Sequence, residues 1–121
     1  MPSRDTVDAF VRSVEDGDYL GAIERFYADG ASMQENVEPP RIGLEALLAG
    51  ERRVMAAFKS VAAQKIGPAV IDGDQVGIRW SFAFEPFEGP TRTLEEVAWQ
   101  HWQGERIVKE TFFYDPKQIG R

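Results

Sequence analysis

The sequence predicts an α+β fold in which N-terminal helices pack on a curved, mostly antiparallel sheet. Two observations predict it. Apolar residues of the first half recur at helical spacing, and from Ala63 onward the period switches to two. Helices that arrive first must then cover the apolar face of a meander built from consecutive hairpins.

Val7, Phe10, Val11 and Val14 recur at i, i+3, i+4 and i+7, giving the first helix an apolar stripe. Gly17-Asp18 ends it, and Asp18 suits the N-cap of the next helix, where Leu20, Ile23, Phe26 and Tyr27 form the buried face and Gly30 closes it. A short strand, Ala31 to Asn36, follows. Glu38-Pro39-Pro40-Arg41-Ile42-Gly43 then reads as a stiff loop without strand periodicity. A third helix is expected from Leu44 to Val61, with Leu44, Leu47, Leu48, Val54, Met55 and Phe58 as core contacts and a weak point at Gly50. Strands are expected at Gln64–Asp72, Gln75–Glu85, Thr91–Trp102 and Arg106–Asp115, with tight turns at Asp72-Gly73-Asp74 and Gln103-Gly104-Glu105. No repeat or linker divides the chain, so residues 1–121 read as one domain.

Composition removes several function classes. Acidic residues outnumber basic ones, 20 to 14, for a net charge of -6, and no Lys/Arg cluster exists. That balance argues against nucleic acid and against anionic membrane surfaces as partners. The absence of cysteine excludes disulfides and thiolate chemistry. Neither a signal peptide nor a membrane span is visible, which makes a cytoplasmic protein the expectation. The single histidine excludes a multi-histidine metal site, and the glycines form no phosphate loop, so neither metal nor cofactor is expected.

Glu35 is the residue that points to chemistry. Alternation places it on the face of Ala31 and Met33, opposite Ser32, Gln34 and Asn36. Burial among apolar neighbours would favour its neutral form and make it a proton acceptor useful near neutral pH. The alternative is a strand that ends at Gln34, with Glu35 exposed at its rim.

The order helix, helix, short strand, helix and antiparallel strands resembles the cone-shaped fold of the nuclear transport factor 2-like superfamily, which includes ketosteroid isomerases and SnoaL-like polyketide cyclases. The matching stretches are Gly17-Asp18, Phe26-Tyr27-Ala28-Asp29-Gly30-Ala31-Ser32, Pro40-Arg41-Ile42-Gly43 and Trp102-Gln103-Gly104-Glu105-Arg106-Ile107-Val108-Lys109-Glu110. The resemblance implies that Glu35 stands where the isomerases carry an aspartate base. It also implies that Phe10 and Ala98 stand where they carry two oxyanion donors. Neither side chain can donate a hydrogen bond, so steroid isomerisation by the family mechanism is not expected.

Parity and the resemblance together give an expected cavity. Trp80, Phe82 and Phe84 line one wall; Ala98, Gln100 and Trp102 come from the next strand; Glu110, Phe112 and Tyr114 come from the last; Phe10, Val14 and Met33 complete the lining. Glu110 and Tyr114 are the expected catalytic partners of Glu35. For Glu110 the alternative is an ion pair with Arg79 or Arg106, and for Tyr114 a packed core tyrosine. The parity of the last strand stays open, because Ile107 and Phe113 fall on the other face. The aromatic residues are also large enough to fill the cavity. His101 should point outward with Val97 and Trp99, forming a patch through which a homodimer is expected. Three functions follow: isomerase- or cyclase-type proton transfer from Glu35, non-catalytic binding of an apolar small molecule, or a dimeric interaction module.

Overall fold

A computed structural model describes residues 1–119. Three α-helices pack on one open, curved, mostly antiparallel sheet, as the α+β reading requires. The helices are α1 (Arg4–Glu15), α2 (Tyr19–Phe26) and α3 (Leu44–Ala57). The strands are β1 (Tyr27–Glu35), β2 (Arg41–Ile42), β3 (Ser60–Lys65), β4 (Val70–Asp72), β5 (Gln75–Glu85), β6 (Arg92–Gln103) and β7 (Arg106–Phe113), and a 3-10 turn spans Pro116–Ile119. The sheet order is β2-β1-β7-β6-β5-β3, with β4 also on β5. No helix among the described residues is long and apolar enough to cross a membrane.

The helix ends follow local chemistry. Ser3 caps α1 by accepting from the Thr6 amide, and Asp18 caps α2 by accepting from the Gly21 amide. Val7, Phe10, Val11 and Val14 are buried along α1. At the closed end of the molecule, Phe10 meets Phe26, Tyr27 and Trp102 edge-on, with ring centroids 5.6, 6.0 and 6.2 Å apart. In each of two tight hairpins, Gly73 and Gly104 occupy the first loop position with φ of 59° and 61°. Glycine reaches that region without strain, and a positive φ at the first position is the II′ pattern.

Several boundaries differ from the sequence reading. Helix α2 stops at Phe26 and not at Gly30, because Tyr27 already has extended geometry and starts β1. Helix α3 is continuous through Gly50 but ends at Ala57, and Ser60 to Val61 belong to β3. Val54 and Met55 lie on its exposed side. Gly50 has a packing reason: a Cβ there would sit 3.0 Å from Arg41 Nε and 3.2 Å from its Cδ. The expected strand Gln64–Asp72 is two strands, split at Gly67-Pro68, where Gly67 has φ 70° and proline cannot join a ladder. Within the expected loop, Arg41 and Ile42 pair with Met33 and Ser32.

Two irregularities position the site. Strand β1 runs parallel to β7, and between Tyr27↔Ile107 and Ser32↔Lys109 their register shifts. Between β6 and β7, Trp102 faces Ile107 and His101 faces Lys109, which leaves Val108 as an extra residue. Such a bulge re-aims the side chains beyond it. It settles the parity of β7, for Ile107 and Glu110 are both buried on the inner side while Phe113 is 52% exposed.

Candidate functional site

A cavity of about 650 Å³ opens between α3, β1 and the concave face of the sheet. The cavity is not filled by its aromatic residues. Phe82 and Phe84 of β5, Phe112 of β7 and Met33 of β1 form much of its apolar wall, with Phe58 at the end of α3. Phe84 lies 5.0 Å from Phe58 and 6.0 Å from Phe82, ring centre to ring centre. A second, smaller chamber of about 90 Å³ continues inward to Phe10, Val14, Trp80, Tyr27 and Glu110. Tyr19, Met33, Glu51, Phe82 and Phe112 border both spaces.

Glu35 faces this cavity from the end of β1, but it is not buried. Its side chain is 44% exposed, and Oε2 lies 3.4 Å from Arg41 Nη1. Tyr114 donates to Oε1 at 3.1 Å. Arg41 reaches across from β2, and the missing side chain at Gly50 leaves room for its stem. The buried setting expected for Glu35 is thus corrected to an ion-paired position at the mouth, since the strand ends there and water reaches it.

Glu110 is corrected more sharply. It lies fully inside, beyond the larger chamber, and both oxygens are taken: Tyr27 donates to Oε1, and Gln100 Nε2 donates to Oε2 at 2.7 Å. Trp102 Nε1 donates to Gln100 Oε1 at 2.9 Å, which fixes the direction of the Gln100 amide. Neither Arg79 nor Arg106 pairs with Glu110. Burial pushes its carboxyl up to about 7, against the opposing pull of the bonds from Gln100 and Tyr27. Tyr27 is pushed well above its ordinary value by burial and by the adjacent Glu110. Ala98, Gln100 and Trp102 line neither chamber; they are wholly buried beneath them as core.

Two carboxyls passed over in the sequence reading border the cavity. Glu96 stands two residues before Ala98 on β6 and shares its inward parity. Its Oε2 is completely buried without a hydrogen-bond partner among the described residues. Burial, with the charges of Glu110 and Glu35 adding to it, pushes Glu96 up to about 8. Glu51 of α3 continues the stripe Leu44, Leu47, Leu48 at helical spacing. It makes no hydrogen bond or ion pair among the described residues, and burial raises its carboxyl while Arg41 opposes the rise. Both positions were legible from periodicity alone.

On the outer face, Trp99 is 46% exposed and covers Gly77, its ring 3.0 Å from where a Cβ would stand. Gln75 bonds both the Trp99 indole and His101 Nδ1. Val97 pairs with Phe113 across β6 and β7. No metal-binding cluster is found among the described residues.

A family model described as a SnoaL-like domain matches residues 7–110. None of the curated proteins matches the chain at a significant level. Among solved structures, one from Mesorhizobium loti, named as a SnoaL-like polyketide cyclase, is 26% identical, covering 91% of this chain and 97% of that one with a TM-score of 0.76. A nuclear transport factor 2-like protein of unknown function from Burkholderia pseudomallei is 14% identical over 95% of this chain and 92% of its own, at TM-score 0.82. A protein of unknown function with a cystatin-like fold from Xanthomonas campestris is 16% identical over 98% and 95%, at TM-score 0.83.

Proposed function

We propose, from the premise that the chain belongs to the SnoaL-like domain family, that it moves a proton on a small carbonyl compound held in the larger chamber. The observation that carries this reading is a contrast between two carboxyls of one cavity. Glu35 is ion-paired with Arg41, whereas Glu96 is held protonated near neutral pH with one oxygen unpartnered. A carboxyl raised by burial and a second one held by an arginine can serve as acid and base together, a logic the ketosteroid isomerases illustrate.

Glu35 takes the proton adjacent to the carbonyl. Arg41 and Tyr114 fix its orientation, and each oxygen keeps a lone pair for the substrate. Glu96, which borders the cavity, donates to the carbonyl oxygen as it becomes an enolate, from a desolvated position where such a bond is strengthened. Glu110, with its oxygens occupied, acts on neither; burial chiefly keeps Glu96 protonated, and the proximity of Glu110 adds to it. The reaction class is isomerase- or cyclase-type proton transfer without a cofactor.

The test is exchange of solvent deuterium into the α-carbon of aromatic ketones and cyclic 1,3-diketones, followed by NMR. Wild-type protein should accelerate exchange of at least one compound. Glu35→Gln should slow it about 10²-fold or more with the fold intact. Equal rates for the two proteins would end the proposal, and so would an inert wild type. Non-catalytic binding would then be the reading of the cavity.

We also propose that two copies pair across the outer face, where Trp99 and Phe113 are half exposed beside Val97 and His101. Sedimentation should give a dimer that Trp99→Glu splits. A monomeric wild type removes the idea.

A further inference from the structure

Past Tyr19, Met33, Phe82 and Phe112 the cavity narrows into the inner chamber of about 90 Å³, a space that proton transfer does not use. Phe10 and Val14 reach it from α1, Ala22 and Ile23 from α2, and Trp80 from β5, so helices and sheet both give it an apolar wall. Most of its polar groups are already engaged. Tyr27 and Gln100 donate to Glu110, and the Tyr19 hydroxyl donates to the Val61 carbonyl at 2.8 Å. Glu51 borders both chambers and so stands at their junction. Glu35, Arg41 and Glu96 line only the larger one.

This division of groups selects the occupant. An anionic or neutral polar group pushed past the junction would give up water without gaining a free donor, which is costly. A water molecule needs at least about two polar partners to settle in a cavity. Among the side chains that line the chamber, only Glu51 has no bond to another described residue. A ring is too large, since a dry apolar cavity of about 150 Å³ takes benzene with its six carbons. In that proportion, about 90 Å³ holds about three or four carbons.

We propose that the inner chamber is a subsite for a short alkyl arm of about three or four carbons, carried by a guest whose polar end stays in the larger chamber. The proposal rests on the proton-transfer reading for the identity of that polar end. With it, the substrate class becomes a ketone whose alkyl arm runs inward while its carbonyl stays with Glu35 and Glu96. Each methylene that passes the junction leaves water for an apolar wall, so the chamber selects for arm length.

The 1-phenylalkan-1-ones from acetophenone to octanophenone test it by calorimetric titration. Affinity should rise about fourfold per methylene over about three or four successive members and then stop rising. Hexanophenone should bind at least about fivefold more tightly than two analogues with arms of equal length, the ether 4-methoxy-1-phenylbutan-1-one and the anion 5-oxo-5-phenylpentanoate. Val14→Phe fills the chamber and should flatten the rise while leaving acetophenone unchanged. Val14→Ala enlarges it and should carry the rise about one or two methylenes further. If overpacking unfolds the phenylalanine protein, the alanine protein decides alone. A flat series, a polar analogue that matches hexanophenone, or the same stopping point in wild type and Val14→Ala would each overturn the proposal. Binding is read here without turnover. A series that stops as expected in a protein that exchanges no deuterium rejects only the catalytic reading, and exchange with a flat series rejects only the subsite.

Discussion

Glu110→Ala is expected to destabilise the protein by on the order of 3 kcal/mol, lowering the thermal midpoint by roughly 10 °C. Glu110 is the shared acceptor of Tyr27 and Gln100, both far from water. Alanine strands both donors in the core and adds a cavity, and each unpaired group carries its full desolvation cost. Glu110→Gln separates packing from ionisation. The amide can still accept from Gln100 and leaves only the Tyr27 hydroxyl short of an acceptor.

The carboxyl of Glu110 is raised from 4.5 to about 7 when folded, so the native state holds this proton more tightly than the unfolded chain. Its stabilising contribution is therefore complete below about pH 4.5, is lost as pH rises toward 7, and is flat beyond. Relative to Glu110→Gln, the wild type should lose on the order of 3 kcal/mol across that window. The comparison needs urea unfolding of both proteins at pH 5 and pH 8. Parallel profiles would show that Glu110 does not titrate within the folded protein.

Glu96→Leu is the second substitution of large effect, and here the readout is turnover. Loss of a donor aimed at a developing oxyanion costs about 10²–10³-fold in rate. Leucine removes the donor and fills similar space, so deuterium exchange should fall by that factor without loss of fold. Glu96→Gln should behave differently. Its amide still donates, so most of the rate should persist. The wild-type rate should decline above about pH 8, where Glu96 gives up its proton. The glutamine protein should lack that decline, since an amide does not titrate. A leucine protein as active as wild type would remove Glu96 from the mechanism.

Helices α1 and α2 and the long strand β5 were legible because their signals are local: a stripe at helical spacing, an Asp cap, a clean alternation of aromatic and polar residues. What escaped is set by distant contacts. The parallel pairing of β1 with β7 leaves no mark in either segment. The extra residue at Val108 carries no glycine to announce it, so the facing of Glu110 could not be read from alternation. Gly30 misled for the opposite reason, being a stop signal inside a strand. The break at Gly67-Pro68 was written in the chain as a turn dipeptide.

The site divides in the same way. Met33, Phe82, Phe84 and Phe112 follow from parity, and so would Glu96 and Glu51. That Glu35 meets Arg41 and Tyr114 and not a closed apolar pocket depends on where β1 ends against β2 and β7. Spacing along one strand carries no information on that.

The parallel pair also governs when the cavity can exist. Glu35 and Tyr114 are 79 residues apart, and Tyr27 and Glu110 are 83 apart. On a ribosome, the helices and the β5–β6 hairpin can form while the rest of the chain is still being made. The acceptor Glu35 and its phenol cannot meet until β7 has left the exit tunnel. Contacts this remote in sequence also slow folding, since the loop they close must be ordered before they repay it. Synthesis should therefore leave the cavity without its last wall until the end, when the first strand pairs with the final one.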